Sequence, residues 1–162
     1  MSIKVGDTLP EAKFTIMGEG GPKPVSSSEV FKGKTVVLFA VPGAFTPTCS
    51  EQHLPGFVGR ADDLKAKGVD TVACTAVNDV FVLTAWAKAR DAQDDVEMLA
   101  DGNADFAKAI GLDIDLSGFG LGTRSKRYAM IVEDGVVKYL GIEDSPPEHN
   151  KATAEKVLAA LK

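Results

Sequence analysis

This sequence is poor in the residues that staple or metallate a small fold. It holds two cysteines, Cys49 and Cys74, and two histidines, His53 and His149, in 162 residues. Two cysteines make no disulfide framework. The two histidines lie far apart in the chain, and the set falls short of what a metal needs, so no metal and no cofactor is expected. Long apolar runs are missing as well. Nothing is long enough to span a bilayer, and Met1–Asp7 holds no apolar signal core. The chain is therefore expected inside the cell, in the cytoplasm, where thiols stay reduced. An organellar location reached through a removed targeting segment stays open. Basic clusters are scarce too. The net charge is −5 and the densest cluster is Arg124-Ser125-Lys126-Arg127, which argues against a nucleic-acid role. Repeats and linkers are absent, so residues 1–162 are expected to form one domain, a length that suits one full-sized core.

What is present centres on one stretch. Val36-Val37-Leu38-Phe39-Ala40-Val41 is an apolar, β-branched run that reads as a buried strand. Pro42-Gly43-Ala44-Phe45-Thr46-Pro47 punctuates the chain as a turn. From Glu51 to Lys67 the pattern is helical, with Leu54, Phe57, Val58, Ala61 and Leu64 on one face. Pro55 should kink that helix, because it removes a backbone donor. Thr48 and Glu51 match a capping box, which makes Thr48 the N-cap and puts Cys49 in the first turn. There the unpaired N–H groups and the helix dipole favour an anion, and a thiol tends to become a thiolate.

The rest of the chain follows by period and punctuation. Lys13–Met17 reads as a strand, Gly18–Pro22 as its turn, and Pro24-Val25 as part of a returning strand. Ser28–Phe31 reads as a capped helical turn. Val69–Val77 is a second β-branched run with Cys74 in its middle, stopped off from the preceding helix by Gly68. Asn78 or Asp79 caps a helix to about Arg90 that carries Val80, Leu83, Trp86 and Ala87. Glu97–Ala100 is a short strand and Asn103–Ile110 a short helix. Asp113–Gly122 reads as a flexible loop; its glycines lack the spacing and the preceding strand of a dinucleotide site. Tyr128–Glu133 and Val136–Ile142 flank Asp134-Gly135, a hairpin signal. A last helix begins at Asn150 or Thr153, with Ala154, Val157, Leu158 and Leu161 buried. Alternating strands and helices followed by an antiparallel pair imply an α/β fold, a mixed β-sheet with helices on both faces.

The two cysteines read differently. Cys74 sits among Val72, Ala73 and Val77 and fits an inert, buried thiol. Cys49 lies among polar and turn-forming residues, where burial as a small hydrophobe fits poorly. His53, four residues on, shares its helix face and suits a structural hydrogen bond. Arg127 precedes the strand at 128 and alternation puts it on the side of Ala129 and Ile131. Aimed at Cys49 it would stabilise a thiolate and a developing oxyanion. Arg124 reads as a loop charge.

Pro42-x-x-x-Thr46-x-x-Cys49 resembles the active-site pattern of peroxiredoxins. Val41–Cys49 with His53-Leu54-Pro55-Gly56-Phe57 is similar to the type II (atypical two-cysteine) group, and Val77-Asn78-Asp79, Leu99–Gly102 and Gly120–Tyr128 continue the likeness. The resemblance implies a thioredoxin-like fold and reduction of hydroperoxides. Cys49 would be the peroxidatic nucleophile, passing through a sulfenic acid. Thr46 would hydrogen-bond the sulfur and the peroxide, Arg127 would hold the thiolate and polarise the peroxide, and Pro42 would shield the sulfur from water. The backbone N–H groups of Thr48 and Cys49 would complete the site. Cys74 matches the second cysteine of plant type II members and is the candidate resolving thiol. Regeneration by an external thiol, glutathione with glutaredoxin, or thioredoxin, is the expected route. A homodimer is implied, with Phe45 and Phe81 at its interface. A general thiol–disulfide oxidoreductase is the alternative, though the Cys-x-x-Cys it needs is missing, with Thr46 at the first position; a redox-sensing module is another.

Overall fold

Val36–Ala40 is buried on both sides, and the sheet grows outward from it. The computed structural model describes residues 2–161. In chain order it contains β1 (Lys13–Gly18), β2 (Gly21–Ser26), α1 (Ser27–Phe31), β3 (Thr35–Ala40), α2 (Leu54–Ala66), β4 (Thr71–Ala76) and α3 (Val80–Ala89). Then come β5 (Glu97–Ala100), α4 (Asp105–Ala109), β6 (Asp113–Asp115), β7 (Thr123–Ser125), β8 (Tyr128–Glu133), β9 (Val136–Ile142) and α5 (Ala154–Ala160). Seven strands pair in the order β2-β1-β5-β4-β3-β8-β9. β3, β4 and β5 are mutually parallel, and the flanking pairs are antiparallel.

The period of two along β3 divides the core. Val37 and Phe39 join Cys49, Cys74, Ala129 and Ile131 in a core covered by α2, α3 and α5. Val36, Leu38 and Ala40 point the other way and pack with Val30 and Phe31 of α1 and Phe106 and Ile110 near α4. Helices thus lie on both faces of a mixed sheet, as the alternating elements imply. The hairpin β8–β9 turns at Asp134 and Gly135, both at positive φ (48° and 80°), the conformation a two-residue turn of matching twist requires.

Three local expectations change. Thr48 is not an N-cap: it is already helical (φ −63°, ψ −39°) and its side chain makes no cap bond. Helical residues begin at Pro47, where a proline costs nothing because an N–H there has no intrahelical acceptor. Cys49 still falls in the first turn. Pro55 does not kink a continuous helix. Cys49–His53 instead form a π turn, in which Leu54 N–H donates to Cys49 O, and Pro55 follows in the opening turn of α2. The loop 113–122 is not structureless; Asp113–Asp115 pairs antiparallel with Thr123–Ser125 around a short 3₁₀ turn. The cap of α4 comes from Asp101, whose carboxylate accepts from Phe106 and Ala107 N–H at 3.0 and 2.9 Å. Asp79 and Thr153 cap α3 and α5 through their own side chains.

Between β9 and α5, residues 143–153 carry no regular structure. This strap lies so close to β9 that a Cβ on Gly141 would collide with the Lys151 carbonyl oxygen. Gly141→Ala should therefore cost about 1–3 kcal/mol, as overpacking does, seen as a lower urea midpoint. An unchanged midpoint would mean the strap does not bear on Gly141.

Candidate active site

Four segments of the fold meet around Cys49. The turn after β3 delivers Pro42, Gly43 and Thr46; the π turn delivers Cys49 and His53. Residue 127, just before β8, delivers the guanidinium, and the strap delivers backbone carbonyls. Cys49 is 0% exposed and Arg127 3%. Arg127 Nη2 donates to Cys49 Sγ at 3.0 Å. Its Nη1 lies 2.9 Å from His53 Nδ1 and its Nε donates to Pro146 O at 3.1 Å. The alternation argument thus places Arg127 on the correct side of the sheet.

His53 is fully buried, its ring beside Phe39 at 5.0 Å and His149 at 5.1 Å. Its Nε2 lies 2.9 Å from Ala152 O. A carbonyl only accepts and a guanidinium only donates, so the proton sits on Nε2 and Nδ1 accepts from Arg127. Burial first, then the charge of Arg127, holds the ring's pKa well below the ordinary histidine value. The expected structural hydrogen bond is therefore two, and they aim the arginine. His53 and His149 do not form a metal cluster with other side chains among the described residues.

The Thr46 hydroxyl donates to Gly43 O at 2.6 Å. It does not bond the sulfur as the resemblance implies; its oxygen retains lone pairs that can accept. Pro42 is buried. The N–H groups of Thr48 and Cys49, in the first helical turn, have no protein partner among the described residues. Thr48 Oγ1 donates to Pro147 O on the strap at 3.4 Å.

Arg124 is not a free loop charge. It is half-buried in β7 and donates through Nε to Leu121 O at 2.9 Å, and through Nη1 to Val77 O at 3.3 Å and Pro42 O at 3.5 Å. A Cβ on Gly43 would stand 3.2 Å from that Nη1, so glycine there lets the guanidinium lie against the turn. Asn78 Oδ1 accepts from Ala44 N at 2.9 Å and pins the same turn. Ser50 accepts from the buried Trp86 indole N–H at 2.9 Å. Sequence patterns marked Trp86 only as core, and Asn78 as a candidate cap inside the family likeness. The signal for Trp86 was available, since a buried indole N–H needs an acceptor.

Cys74 lies on β4 between Phe39 of β3 and Met98 of β5, fully buried. Burial first, then the neighbouring Cys49, pushes its thiol well above the usual range. Both cysteines are free thiols. Phe45 and Phe81 are exposed by 54% and 64%, and Phe119, which the sequence pattern did not single out, by 80%.

The buried histidine gives stability a pH dependence. Below the ordinary value of 6.5 the unfolded chain takes up a proton that folded His53 refuses. Stability is then complete above that value and falls as the pH drops through it. Urea unfolding at about pH 7.5 and about pH 5.5 should show the loss, and His53→Gln should flatten the slope. Some slope remains, because burial lowers His149 as well. An identical slope in the variant would remove His53 as the cause.

Comparison with known proteins bears on this geometry. The Redoxin family model matches residues 4–158. "Peroxiredoxin-2E, chloroplastic" of Arabidopsis thaliana is 47% identical over 99% of this chain and 70% of its own length. "Peroxiredoxin-2C" of Oryza sativa subsp. japonica is 47% identical over 98% of both. The crystal structure described as reduced Prx3 in complex with h2o2 from Vibrio vulnificus is 52% identical, with a TM-score of 0.94 and 99% of each chain covered. The thioredoxin-like architecture and the likeness extend from end to end, and by that measure the chain belongs to the Redoxin family, among the type II peroxiredoxins.

Proposed function

We propose that Cys49 is the peroxidatic nucleophile of this thiol-dependent peroxidase, an oxidoreductase with a hydroperoxide as electron acceptor. The observation that carries the assignment is the buried guanidinium of Arg127 at 3.0 Å from the Cys49 sulfur. An arginine keeps its charge at any accessible pH. Among the described residues it makes no salt bridge with a carboxylate. Its neighbours are a neutral imidazole, a carbonyl and the sulfur, so the sulfur is the atom placed to carry the opposite charge.

The thiolate attacks the terminal oxygen of the hydroperoxide. An S–O bond forms, the O–O bond breaks, and the departing oxygen takes a proton to leave as water or an alcohol. Cys49 is oxidised to a sulfenic acid and the peroxide is reduced. Arg127 polarises the peroxide while it holds the sulfur. The Thr46 oxygen, its own proton given to Gly43, accepts from the peroxide O–H. The Thr48 and Cys49 N–H groups stabilise the charge that develops on oxygen. Pro42 keeps water off the sulfur.

An external thiol returns Cys49 to its starting state: it attacks the sulfenic acid, water leaves, and a second thiol resolves the mixed disulfide. Glutathione with glutaredoxin, or thioredoxin, is the proposed source. The burial of Cys74 in mid-strand supports that route over an internal disulfide. The sulfur of Cys49 is itself closed, so the reductant reaches it only when the active-site turn moves. The chain is read as one domain, because one sheet serves both cores. It is read as a homodimer through the exposed Phe45 and Phe81, which sedimentation equilibrium decides. Its proposed location is the cytoplasm; relatives carry chloroplastic and mitochondrial names, and fractionation of the source cells would settle the compartment.

Cys49→Ser should abolish turnover, since an alcohol is a far weaker nucleophile at neutral pH. Arg127→Ala should slow single-turnover oxidation by about 10²–10³, the range for losing a transition-state donor. Arg124→Ala, which loosens the turn, should cost less. Turnover by Cys49→Ser, or a larger loss from Arg124→Ala, would break the assignment.

Cys74→Ser should keep most activity with glutathione and glutaredoxin, compared where both proteins are folded, because serine in a buried site needs a partner for its hydroxyl. Mass spectrometry after one equivalent of peroxide reads the intermediate. A stoichiometric Cys49–Cys74 disulfide, lost together with turnover in Cys74→Ser, would make Cys74 the resolving thiol.

A further inference from the structure

The strap at residues 143–152 has no ladder of its own, yet it supplies three carbonyls to the site. Pro146 O accepts from Arg127, Pro147 O from Thr48, and Ala152 O from His53. The Tyr139 hydroxyl donates to Lys151 O at 3.0 Å and Lys151 pairs with Asp144 at the exposed rim, but the side chain that gathers most of the strap's backbone is at its start. Glu143 is 5% exposed, and its Oε2 accepts from the N–H groups of Asn150, Lys151 and Ala152 at 2.7, 2.6 and 2.7 Å. The backbone N–H of Glu143 donates to Arg127 O at 2.9 Å. The anchor is therefore coupled to the arginine at its own backbone and, through the strap, at its side chain. Its second oxygen meets no donor among the described residues. A buried carboxylate with one oxygen unpaired is a costly way to close a loop. A charged acceptor can, however, hold three N–H groups at once and more strongly than a neutral one.

We propose that Glu143 is a positioning residue for the peroxidase reaction: its carboxylate seats the strap, and the seated strap orients Arg127 and His53 toward the Cys49 sulfur. The idea rests on the assignment of Cys49 as the reacting atom. Glu143 touches neither the sulfur nor the peroxide, so its effect must pass through Arg127. Loss of the carboxylate frees Ala152 O and Pro146 O to drift. The guanidinium then keeps its charge but loses two of the contacts that fix its fork. A misplacement of about 1 Å at a reacting centre costs up to about a hundredfold in rate.

The test is a double-mutant cycle. Glu143→Ala and Glu143→Gln are made in the wild type and in Arg127→Ala, with folding checked by circular dichroism. Two readouts are taken: single-turnover oxidation of Cys49 by hydrogen peroxide, and alkylation of Cys49 by iodoacetamide. Glu143→Ala should slow oxidation by about thirtyfold and Glu143→Gln by about threefold, because the amide retains an acceptor but not the charge. On top of Arg127→Ala, neither should cost more than about twofold, since a residue acting through another is not additive with it. A folded Glu143→Ala protein oxidised at the wild-type rate overturns the proposal. So does a loss that persists undiminished without Arg127, as a merely structural role would give. If Glu143→Ala does not fold, Glu143→Gln is judged by the same two outcomes. A wild type that consumes no peroxide would sink the functional assignment instead, and the alkylation series would then decide on Glu143.

Discussion

Everything at the active site depends on the cost of burying one arginine. A guanidinium taken out of water loses several kcal/mol of hydration, and only paired charge and filled hydrogen bonds offset that loss. Here the offset comes from a sulfur and a ring nitrogen of one π turn and from a peptide oxygen of the strap. The constraint runs outward from there. The ring nitrogen can accept only if the imidazole is neutral, which its burial against Phe39 and Phe57 ensures. The peptide oxygen is in place only if the strap closes. The sulfur is in place only if the helix begins at Pro47 and then widens into the π turn.

The sheet is what makes these demands compatible. β3 and β8 are antiparallel neighbours with Ala40 opposite Tyr128. The end of β3 therefore lies beside the start of β8, and the turn after one strand meets the residue before the other. Arg127 and Cys49 are 78 residues apart along the chain and adjacent in space because of that single register. Shifting it by one residue would send Arg127 to the opposite core.

Much of this could be read from the amino acids. β3, β4 and the β8–β9 hairpin announce themselves by branched runs and by Asp134-Gly135, and the side of the sheet that Arg127 occupies follows from alternation alone. The roles of Thr46 and Pro42 rested on family likeness, because turn residues carry no period. The misreading at Thr48 has a physical source. Two helix-start signals overlap there, a capping-box pair and a proline, and the earlier one prevails because Pro47 already has its φ set for a helix. Asp113–Asp115 and Thr123–Ser125 are too short for alternation to show. The strap is polar, irregular and gathered chiefly by the Glu143 carboxylate, so nothing in its local pattern marks it as part of the site. Arg124 escaped for a related reason: its acceptors are backbone oxygens, one three residues back and two on remote segments, and no residue type there signals them.

The three-way seat of Arg127 has a consequence for the chain before it is finished. Cys49 is made early in synthesis, and its guanidinium partner and the strap arrive 78 residues later and beyond. Until then, on the proposed reading of Cys49, the thiol lacks the contact that makes it the peroxidatic group. On the same reading the folded sheet creates the reagent, and it does so at a fully buried residue. A polypeptide that has lost its strap by clipping or partial melting loses the peptide oxygen that seats Arg127. The proposed chemistry would thus be confined to molecules whose assembly has been completed, and damaged or immature copies would not compete for the same oxidant.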